Sequence, residues 1–163
     1  MELSPRAPVI AAPGTTVRAA TAHDEKPWLE MWRDFVLSGP EPCAPTAADV
    51  AWRRIMDPAN PMECFVATDA GDVAIGFLLY VTHPYGWSSR SVCYLQDLYV
   101  RPDARGRGCG RALIETLSDA GRRAGWLKIY WMTQEDNVVA RRLYDTIAVR
   151  SPLVRYDLQL APH

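Results

Sequence analysis

The chain is poor in several features that mark whole classes of proteins. Only two of its 163 residues are lysines, Lys26 and Lys128, and its formal net charge is -1. Binding to nucleic acid or to a membrane surface normally draws on a surplus of basic residues, so neither partner is expected. The sequence has no apolar run near the roughly 18 residues of a membrane span and no signal-peptide pattern. These absences predict a soluble, cytoplasmic protein.

Residues that commonly bind metals are also few and scattered. The cysteines are Cys43, Cys64, Cys93 and Cys109, and the histidines are His23, His83 and His163. None of the cysteines forms a C-x-x-C pair, so no metal site is predicted. Thiols of a cytoplasmic protein are expected to stay reduced.

The length and composition fit a single folded domain. A chain of 163 residues with 48% hydrophobic and 23% charged residues is ordinary for a globular protein. Residues 1–15 are rich in Pro and Ala and lack periodicity, which indicates a mobile leader before a domain spanning residues 16–163.

Apolar periodicity predicts an α/β fold with the element order β-α-α-β-β-β-α-β-α-β. The predicted strands are Thr16 to Ala20, Cys64 to Thr68, Val73 to Val81, Val92 to Val100, Trp126 to Met132 and Leu153 to Leu160. Helices are predicted after Asp24, after Thr46 or Asp49, from Gly110 to Ala124 and from Asn137 to Ile147. A loop is expected from Thr82 to Arg90. A helix joins the predicted strands Val92 to Val100 and Trp126 to Met132, so these two strands are expected to be parallel.

The most informative motif is a glycine-rich loop between a buried strand and an amphipathic helix. Its residues are Arg105, Gly106, Arg107, Gly108, Cys109, Gly110 and Arg111. The first backbone N–H groups of a helix have no partner within the helix and carry partial positive charge, so an anion is stabilised there. Glycines allow close approach, and the arginines add positive charge suited to several phosphates.

Two common phosphate motifs do not fit this loop. The dinucleotide pattern G-x-G-x-x-G fails because Arg111 or Leu113 occupies a position that needs a small residue. The Walker pattern fails because it requires a Gly-Lys-Ser/Thr sequence, which the chain lacks. A flexible turn with solvated arginines is the alternative that the glycines alone leave open.

Two segments resemble one known superfamily. The loop from Arg105 to Gly110 resembles the Arg/Gln-x-x-Gly-x-Gly/Ala loop of the GNAT superfamily of acetyl-CoA-dependent N-acetyltransferases, and the strand end Leu98 to Pro102 is similar to the one that introduces it. Tyr130 to Thr133, followed by Asn137, Ala140, Leu143 and Tyr144, is similar to the later strand and helix of that family. The nearest resemblance is to small diamine, polyamine and histone acetyltransferases.

The resemblance implies a mixed, mostly antiparallel sheet in which two parallel strands splay apart around acetyl-CoA. It implies cofactor contacts from Leu98, Tyr99 and Val100, from the loop Arg105 to Arg111, and from Asn137, Ala140 and Tyr144. The amide of Leu98 would stabilise the oxyanion, and the hydroxyl of Tyr144 would protonate the departing thiolate. Alternatives are that Tyr144 is a core aromatic residue and that Asn137 is a plain helix cap. A covalent role for Cys109 is disfavoured because no histidine lies nearby in sequence.

The general base is less clearly indicated. Relatives often carry a carboxylate where this chain has Gln96, which accepts no proton at neutral pH. Asp97 is the nearest carboxylate and is expected to act through water, although strand alternation would point it to the face opposite Gln96. A structural Asp bonded to loop amides is the alternative. A second departure is Thr146 to Val149, where relatives commonly have a glycine.

The acceptor is expected to be a small amine, a polyamine or a lysine side chain. Aromatic rings attract amines, and the candidates are Trp28, Trp32, Tyr85 and Trp87, with Asp34 and Glu41 as further acidic candidates. Helical spacing equally favours a core position for Trp28 and Trp32. The competing hypotheses are a non-catalytic acyl-CoA sensor and a nucleotide-binding or oxidoreductase domain. A homodimer is also expected from the resemblance.

Overall fold

The computed structural model describes residues 14–39 and 43–160, which form five strands and four α-helices. The strands are β1 (Thr16–Ala19), β2 (Met62–Thr68), β3 (Ala74–Tyr85), β4 (Ser88–Val100) and β5 (Ile129–Tyr130). The helices are α1 (Glu25–Leu37), α2 (Ala47–Met56), α3 (Cys109–Ala124) and α4 (Val138–Tyr144). Residues 1–13 of the predicted leader lie outside the described residues, and so does Glu41.

The strands form one sheet in the order β1-β2-β3-β4-β5. The pairs β1–β2, β2–β3 and β3–β4 are antiparallel, whereas β4 and β5 are parallel and pair at only two positions. The predicted fold class, a mixed and mostly antiparallel sheet with one splayed parallel pair, is therefore confirmed.

Helices cover the two faces of the sheet, and each face has its own hydrophobic cluster. On one face, which we call the α3 face, Leu113 and Leu117 of α3 pack with Leu78 and Cys93 of the sheet. The apolar residues of α3 recur at helical spacing, so one side of this helix is buried. On the other face, which we call the α1 face, the cluster is formed by Trp28, Met31, Trp52, Val66, Phe77, Leu79 and Tyr99.

The predicted last strand is not formed. Residues 153–160 are exposed and belong to no strand, so the apolar alternation that predicted one has no sheet neighbour in this chain. The predicted loop from Thr82 to Arg90 is mostly strand, because β3 and β4 continue to a tight turn at Gly86 and Trp87. The strand predicted over Trp126 to Met132 is reduced to Ile129–Tyr130. The expected homodimer stays a prediction.

No helix within residues 14–39 and 43–160 combines the length and the apolar content that crossing a bilayer requires.

An ion pair between a partly exposed arginine and a buried aspartate ties the first strand to the start of α1. The guanidinium of Arg18 donates to both carboxylate oxygens of Asp24, at 2.7 and 3.0 Å. Asp24 is only 2% exposed, and the backbone N–H of Thr21 also donates to it. Burial by itself raises the pKa of Asp24, but the hydrogen bonds from Arg18 and Thr21 outweigh it and lower the pKa overall. Arg18 also bonds Asp72 in the β2–β3 turn.

We predict that Arg18→Met destabilises the fold strongly at neutral pH. Breaking a buried pair leaves an uncompensated charge, which costs about 3 to 5 kcal/mol of unfolding free energy. Because the pKa of Asp24 is lowered in the native protein, its contribution is present above the ordinary Asp pKa and is lost as pH falls below it. The deficit of the variant, measured by urea unfolding, should therefore shrink as pH falls from about 4 to about 2.

The matched control is Arg122→Met, which removes an exposed pair with Asp119 on α3. An exposed pair is worth about 1 kcal/mol or less. Equal losses in the two variants would contradict the assignment of the Arg18–Asp24 pair.

Candidate active site

The strands β4 and β5 separate after two paired residues and leave a gap in the sheet. Cys93 pairs with Ile129 and Tyr94 with Tyr130. On the β5 side, the N–H of Leu127 donates to Ser91 at 2.8 Å, and the N–H of Cys93 donates to Lys128 at 3.0 Å. From residue 95 onward β4 has no strand on this side among the described residues. We call this gap the split.

A β-bulge decides which backbone groups of β4 face the split. Tyr80 pairs with Leu95, but Leu79 pairs with Asp97, so Gln96 is the extra residue. Before the bulge, odd-numbered residues direct their N–H and C=O groups toward β5. The N–H of Arg101 bonds Ile75 of β3 at 2.9 Å, so after the bulge the odd-numbered residues face β3. By the alternation of an antiparallel ladder, Leu98 and Val100 therefore face the split.

The glycine-rich loop closes the end of the split. Gly106 and Gly108 have φ of 75° and 81°, in the left-handed region that side chains disfavour. α3 starts directly afterwards, and its first backbone bond runs from the N–H of Ala112 to the carbonyl of Gly108 at 3.0 Å. The N–H groups at positions 109–111 therefore have no hydrogen-bond acceptor within the helix. This is the geometry that an anion needs.

The arginines around this loop have different partners. Arg101 pairs with Asp103 at 3.0 Å, and Nε of Arg105 donates to the carbonyl of Val100 at 3.0 Å. Arg107 is exposed. Nη2 of Arg111 donates to the hydroxyl of Thr146 at 2.8 Å, which places this guanidinium against the segment after α4.

Two residues predicted to bind cofactor have their side chains directed elsewhere. The thiol of Cys109 is buried and lies 3.7 Å from the carbonyl of Ala104. Tyr99 packs in the cluster of the α1 face, and the ladder directs its backbone toward Phe77 of β3. We therefore leave Tyr99 out of the site proposed below.

α4 lies beside the loop and carries Tyr144. A Cβ on Gly110 would meet the side chain of Leu143 at 3.6 Å, so α4 touches the start of α3. The ring of Tyr144 meets Trp131 edge-on at 5.3 Å between centroids and packs on the α3 face. Burial raises the pKa of Tyr144, which keeps its hydroxyl protonated.

Asn137 is the helix cap that the sequence left as an alternative. Its side-chain oxygen accepts from the N–H of Ala140 at 3.4 Å, and its amide nitrogen donates to Thr133 at 3.1 Å. These bonds fix the start of α4 and do not exclude a ligand contact.

The expectation that Asp97 and Gln96 point to opposite faces is wrong. The bulge interrupts alternation, and Nε2 of Gln96 lies 3.3 Å from Oδ2 of Asp97. Asp97 pairs with Leu79, which belongs to the cluster of the α1 face, so the carboxylate lies on that face. Burial raises the pKa of Asp97 to about 6, and the hydrogen bond from Gln96 opposes this shift.

The aromatic residues proposed for the acceptor divide into core and surface. Trp28 is fully buried and lies 5.3 Å from Trp52 between ring centroids, so Trp28 is a core residue. Trp32 stacks on Trp28 at 6.0 Å. Tyr85 and Trp87 pair at the tip of the β3–β4 hairpin, with Trp87 90% exposed. Asp34 is exposed on α1.

The sequence reasoning missed a polar aromatic group at the start of the split. Tyr94 stacks on Tyr130 at 5.3 Å between ring centroids, and the Tyr130 hydroxyl lies 2.9 Å from Nε2 of His83. Tyr130 lay within the predicted strand Trp126 to Met132, but its pairing with Tyr94 left no local signal in the sequence. His83 was hidden because its segment was predicted to be a loop.

Family membership follows from comparison with known proteins. The sequence profile described as the acetyltransferase (GNAT) family matches residues 28–147, which include the split, the loop and Tyr144. The chain belongs to the GNAT family. It is therefore an acetyl-CoA-dependent acyltransferase.

The alignments with individual relatives of this acetyltransferase cover different shares of the relatives' length. It is 33% identical over 142 residues to the D-amino-acid N-acetyltransferase of Saccharomyces cerevisiae, covering 86% of this chain and 88% of the relative. It is 34% identical over 147 residues to the mycothiol acetyltransferase of Geodermatophilus obscurus, covering 90% of this chain but only 46% of the relative. The chain thus spans less than half of that second protein.

The fold of this acetyltransferase is shared with solved structures. One is an enzyme in complex with the bisubstrate analogue CoA-S-monomethyl-acetylneamine, with a TM-score of 0.75 at 22% identity. The alignment covers 90% of this chain and 99% of the solved one. Across residues 14–39 and 43–160, no cluster of three or more His, Cys, Asp or Glu side chains has a metal-binding arrangement.

We predict that Asp97→Asn stabilises this acetyltransferase at neutral pH. The native carboxyl takes up its proton at a pKa of about 6, against 3.8 as its ordinary value. Stability is therefore lost as pH rises from about 4 to about 6, because the buried group must then ionise. The variant avoids this cost. We expect the unfolding free energy of the variant, minus that of the native protein, to be roughly 1 to 3 kcal/mol larger at pH 7.5 than at pH 3.5.

Chemical denaturation at both pH values would measure this gain. Asp34→Asn, at an exposed site on α1, is the control and should differ little between the two conditions. A pH-independent effect of Asp97→Asn would contradict a buried carboxyl at position 97.

Proposed function

We propose that this acetyltransferase moves an acetyl group from acetyl-CoA to a primary amine by direct attack while both substrates are bound. The observation that carries the proposal is the position of Tyr144 and Asp97 on opposite faces of the sheet, on either side of the split. A thioester lying in the split would have an acid on one face and a carboxylate on the other.

The split and the glycine-rich loop present backbone groups that suit two parts of acetyl-CoA. The N–H groups at positions 109–111 would hold the pyrophosphate, because an anion is favoured at a helix N-terminus. The backbone groups of Leu98 and Val100 that face the split would bond the pantetheine amides as a neighbouring strand does, and Asn137 would contact the same arm. Once bound, acetyl-CoA supplies an activated acetyl thioester.

The proposed acceptor is an amine that enters from the α1 face. Asp97 would attract an ammonium group by charge, since its carboxyl is ionised above a pH of about 6. The yeast relative is named for D-amino acids, which carry an amine. Amino acids therefore join polyamines and lysine side chains as candidate acceptors.

The transfer can be written from the neutral amine onward. The neutral amine nitrogen forms a bond to the acetyl carbon, and the bond from that carbon to sulfur breaks. Asp97 takes a proton from the nitrogen as the amide forms, directly or through water, and Tyr144 gives its hydroxyl proton to the thiolate. The amide of Leu98 would donate to the acetyl oxygen, where negative charge develops.

Thiol release from acetyl-CoA across a panel of amines would test this function. The panel should contain spermidine, short diamines, lysine peptides, aminoglycosides, and D- and L-amino acids. Amine-dependent release supports the proposal. Tight binding of acetyl-CoA with no release by any amine would support the alternative of an acyl-CoA sensor.

We predict that Tyr144→Phe lowers kcat by about 10²-fold or more while the Kd for acetyl-CoA changes little. The phenyl ring keeps the edge-on contact with Trp131, so the packing of α4 should persist. Steady-state kinetics and calorimetric titration with CoA would measure both quantities. Unchanged kcat would remove Tyr144 from the acid role.

We predict that Gly108→Val weakens CoA binding by roughly tenfold or more. The left-handed φ of 81° at this position costs a side-chain residue about 1 to 2 kcal/mol, and a branched residue more. The control is Gly86→Val at the β3–β4 turn, where an added Cβ meets no atom within 4 Å. Equal affinity in the Gly108 variant and the native protein would place the pyrophosphate elsewhere.

A further inference from the structure

The proposed reaction leaves one proton without an acceptor. A primary amine is an ammonium ion at neutral pH, since the pKa of an alkylamine such as lysine is about 10.4. Its nitrogen loses two protons on becoming an amide, one before attack and one as the amide forms. Asp97 holds one proton at a time. A second acceptor on the same face of the sheet would take the first proton and leave Asp97 ionised for the second.

Tyr130 and His83 are placed to supply it. Tyr130 pairs with Tyr94, the last pair before the split opens, and Tyr94 pairs with Val81 of β3. Because paired residues share a face and alternate residues of a strand return to it, Tyr130, Val81 and His83 lie on the face of Asp97. Tyr130 is 37% exposed and His83 is half-buried, so both side chains are partly accessible.

The backbone determines which nitrogen of His83 carries the proton. Nδ1 lies 2.8 Å from the carbonyl oxygen of Pro84, which can only accept a hydrogen bond. Nδ1 must therefore be the donor, and Nε2 of the neutral ring accepts from the Tyr130 hydroxyl, 2.9 Å away. When Nε2 gains a proton it becomes the donor and the tyrosine oxygen accepts. Both hydrogen bonds thus persist in the neutral and the protonated ring.

We propose that Tyr130 and His83 form a proton relay that deprotonates the acceptor ammonium group before it attacks. The proposal rests on the amine acetylation proposed above. The ammonium proton moves to the oxygen of Tyr130 while the hydroxyl proton of Tyr130 moves to Nε2 of His83. The products are a neutral amine, an intact tyrosine hydroxyl and an imidazolium, which afterwards releases its proton to water. Tyr130 contacts the acceptor, and His83 is a positioning residue that acts through it.

Other charged or titratable groups lie around this pair on all neighbouring elements. They are Tyr85 on β3, Tyr94 and Asp97 on β4, Lys128 before β5 and Arg155 in the C-terminal segment. Nζ of Lys128 lies 4.7 Å from the centroid of Tyr85 and 6.0 Å from that of Tyr130. Their charges are common to the variants below, so the comparison isolates the relay.

The test compares His83→Asn, Tyr130→Phe and the double variant with the best amine from the acceptor panel. Each single change should lower kcat/KM at pH 7 by about 10²-fold, and the double change should be no worse, because the two residues act as a unit. The loss should shrink as pH approaches the pKa of the amine. It should also shrink for a fluorinated analogue of the acceptor that is already neutral at pH 7.

Two controls and one spectroscopic measurement separate the possible failures. His23→Asn and Tyr156→Phe change the same residue types at exposed positions outside the site and should leave kcat/KM unchanged. Losses that are equal at every pH and for both acceptors, or that add in the double variant, would overturn the relay. If the native protein acetylates no amine, amine acetylation is what fails. The ¹⁵N NMR spectrum of His83 then tests the relay geometry separately, since an Nε2–H tautomer overturns it and an Nδ1–H tautomer supports it.

Discussion

The bulge at Gln96 is the constraint on which the rest of the site depends. One extra residue in β4 reverses which residues face β3 and which face the split. Leu98 and Val100 consequently direct their backbone groups away from the sheet ladder. The same residue brings Asp97 to the α1 face and places Gln96 within hydrogen-bonding distance of it. A β4 strand without the bulge would lose both features at once.

A strand with one side open is unusual in the interior of a sheet, and the surrounding helices stabilise it. Each backbone hydrogen bond left unmade forgoes about 1 kcal/mol, so the split needs support until a ligand pairs with it. Val100 has partial support because its carbonyl accepts from Arg105. On the far side, Leu143 packs at Gly110, and Arg111 bonds Thr146, whose hydroxyl in turn donates to the carbonyl of Leu143 at 2.6 Å. These contacts hold α4 and the segment after it against the start of α3.

Local signals in the sequence were enough to predict the loop and most elements, but long-range pairing was not visible in it. The loop from Arg105 to Arg111 was found because glycine spacing, a buried strand and an amphipathic helix are all local. The bulge was missed because an extra residue leaves no mark in the apolar pattern of β4. The tail from Leu153 to Leu160 alternates like a strand, yet a strand forms only where a neighbour has free backbone groups. His83 was assigned to a loop because the extension of β3 depends on its pairing with Val92.

Burial raises the pKa of a side chain on each side of the split, and the two shifts have opposite chemical consequences. On the α3 face it raises the pKa of Tyr144, so the hydroxyl keeps its proton at neutral pH and is present as a donor beside the split. On the α1 face it raises the pKa of Asp97 to about 6. An ordinary carboxylate is a poor proton acceptor at neutral pH, whereas one whose pKa approaches the working pH accepts protons more readily and still remains ionised. Desolvation therefore makes one group a better-retained acid and the other a stronger base, as the proposed transfer across the split requires.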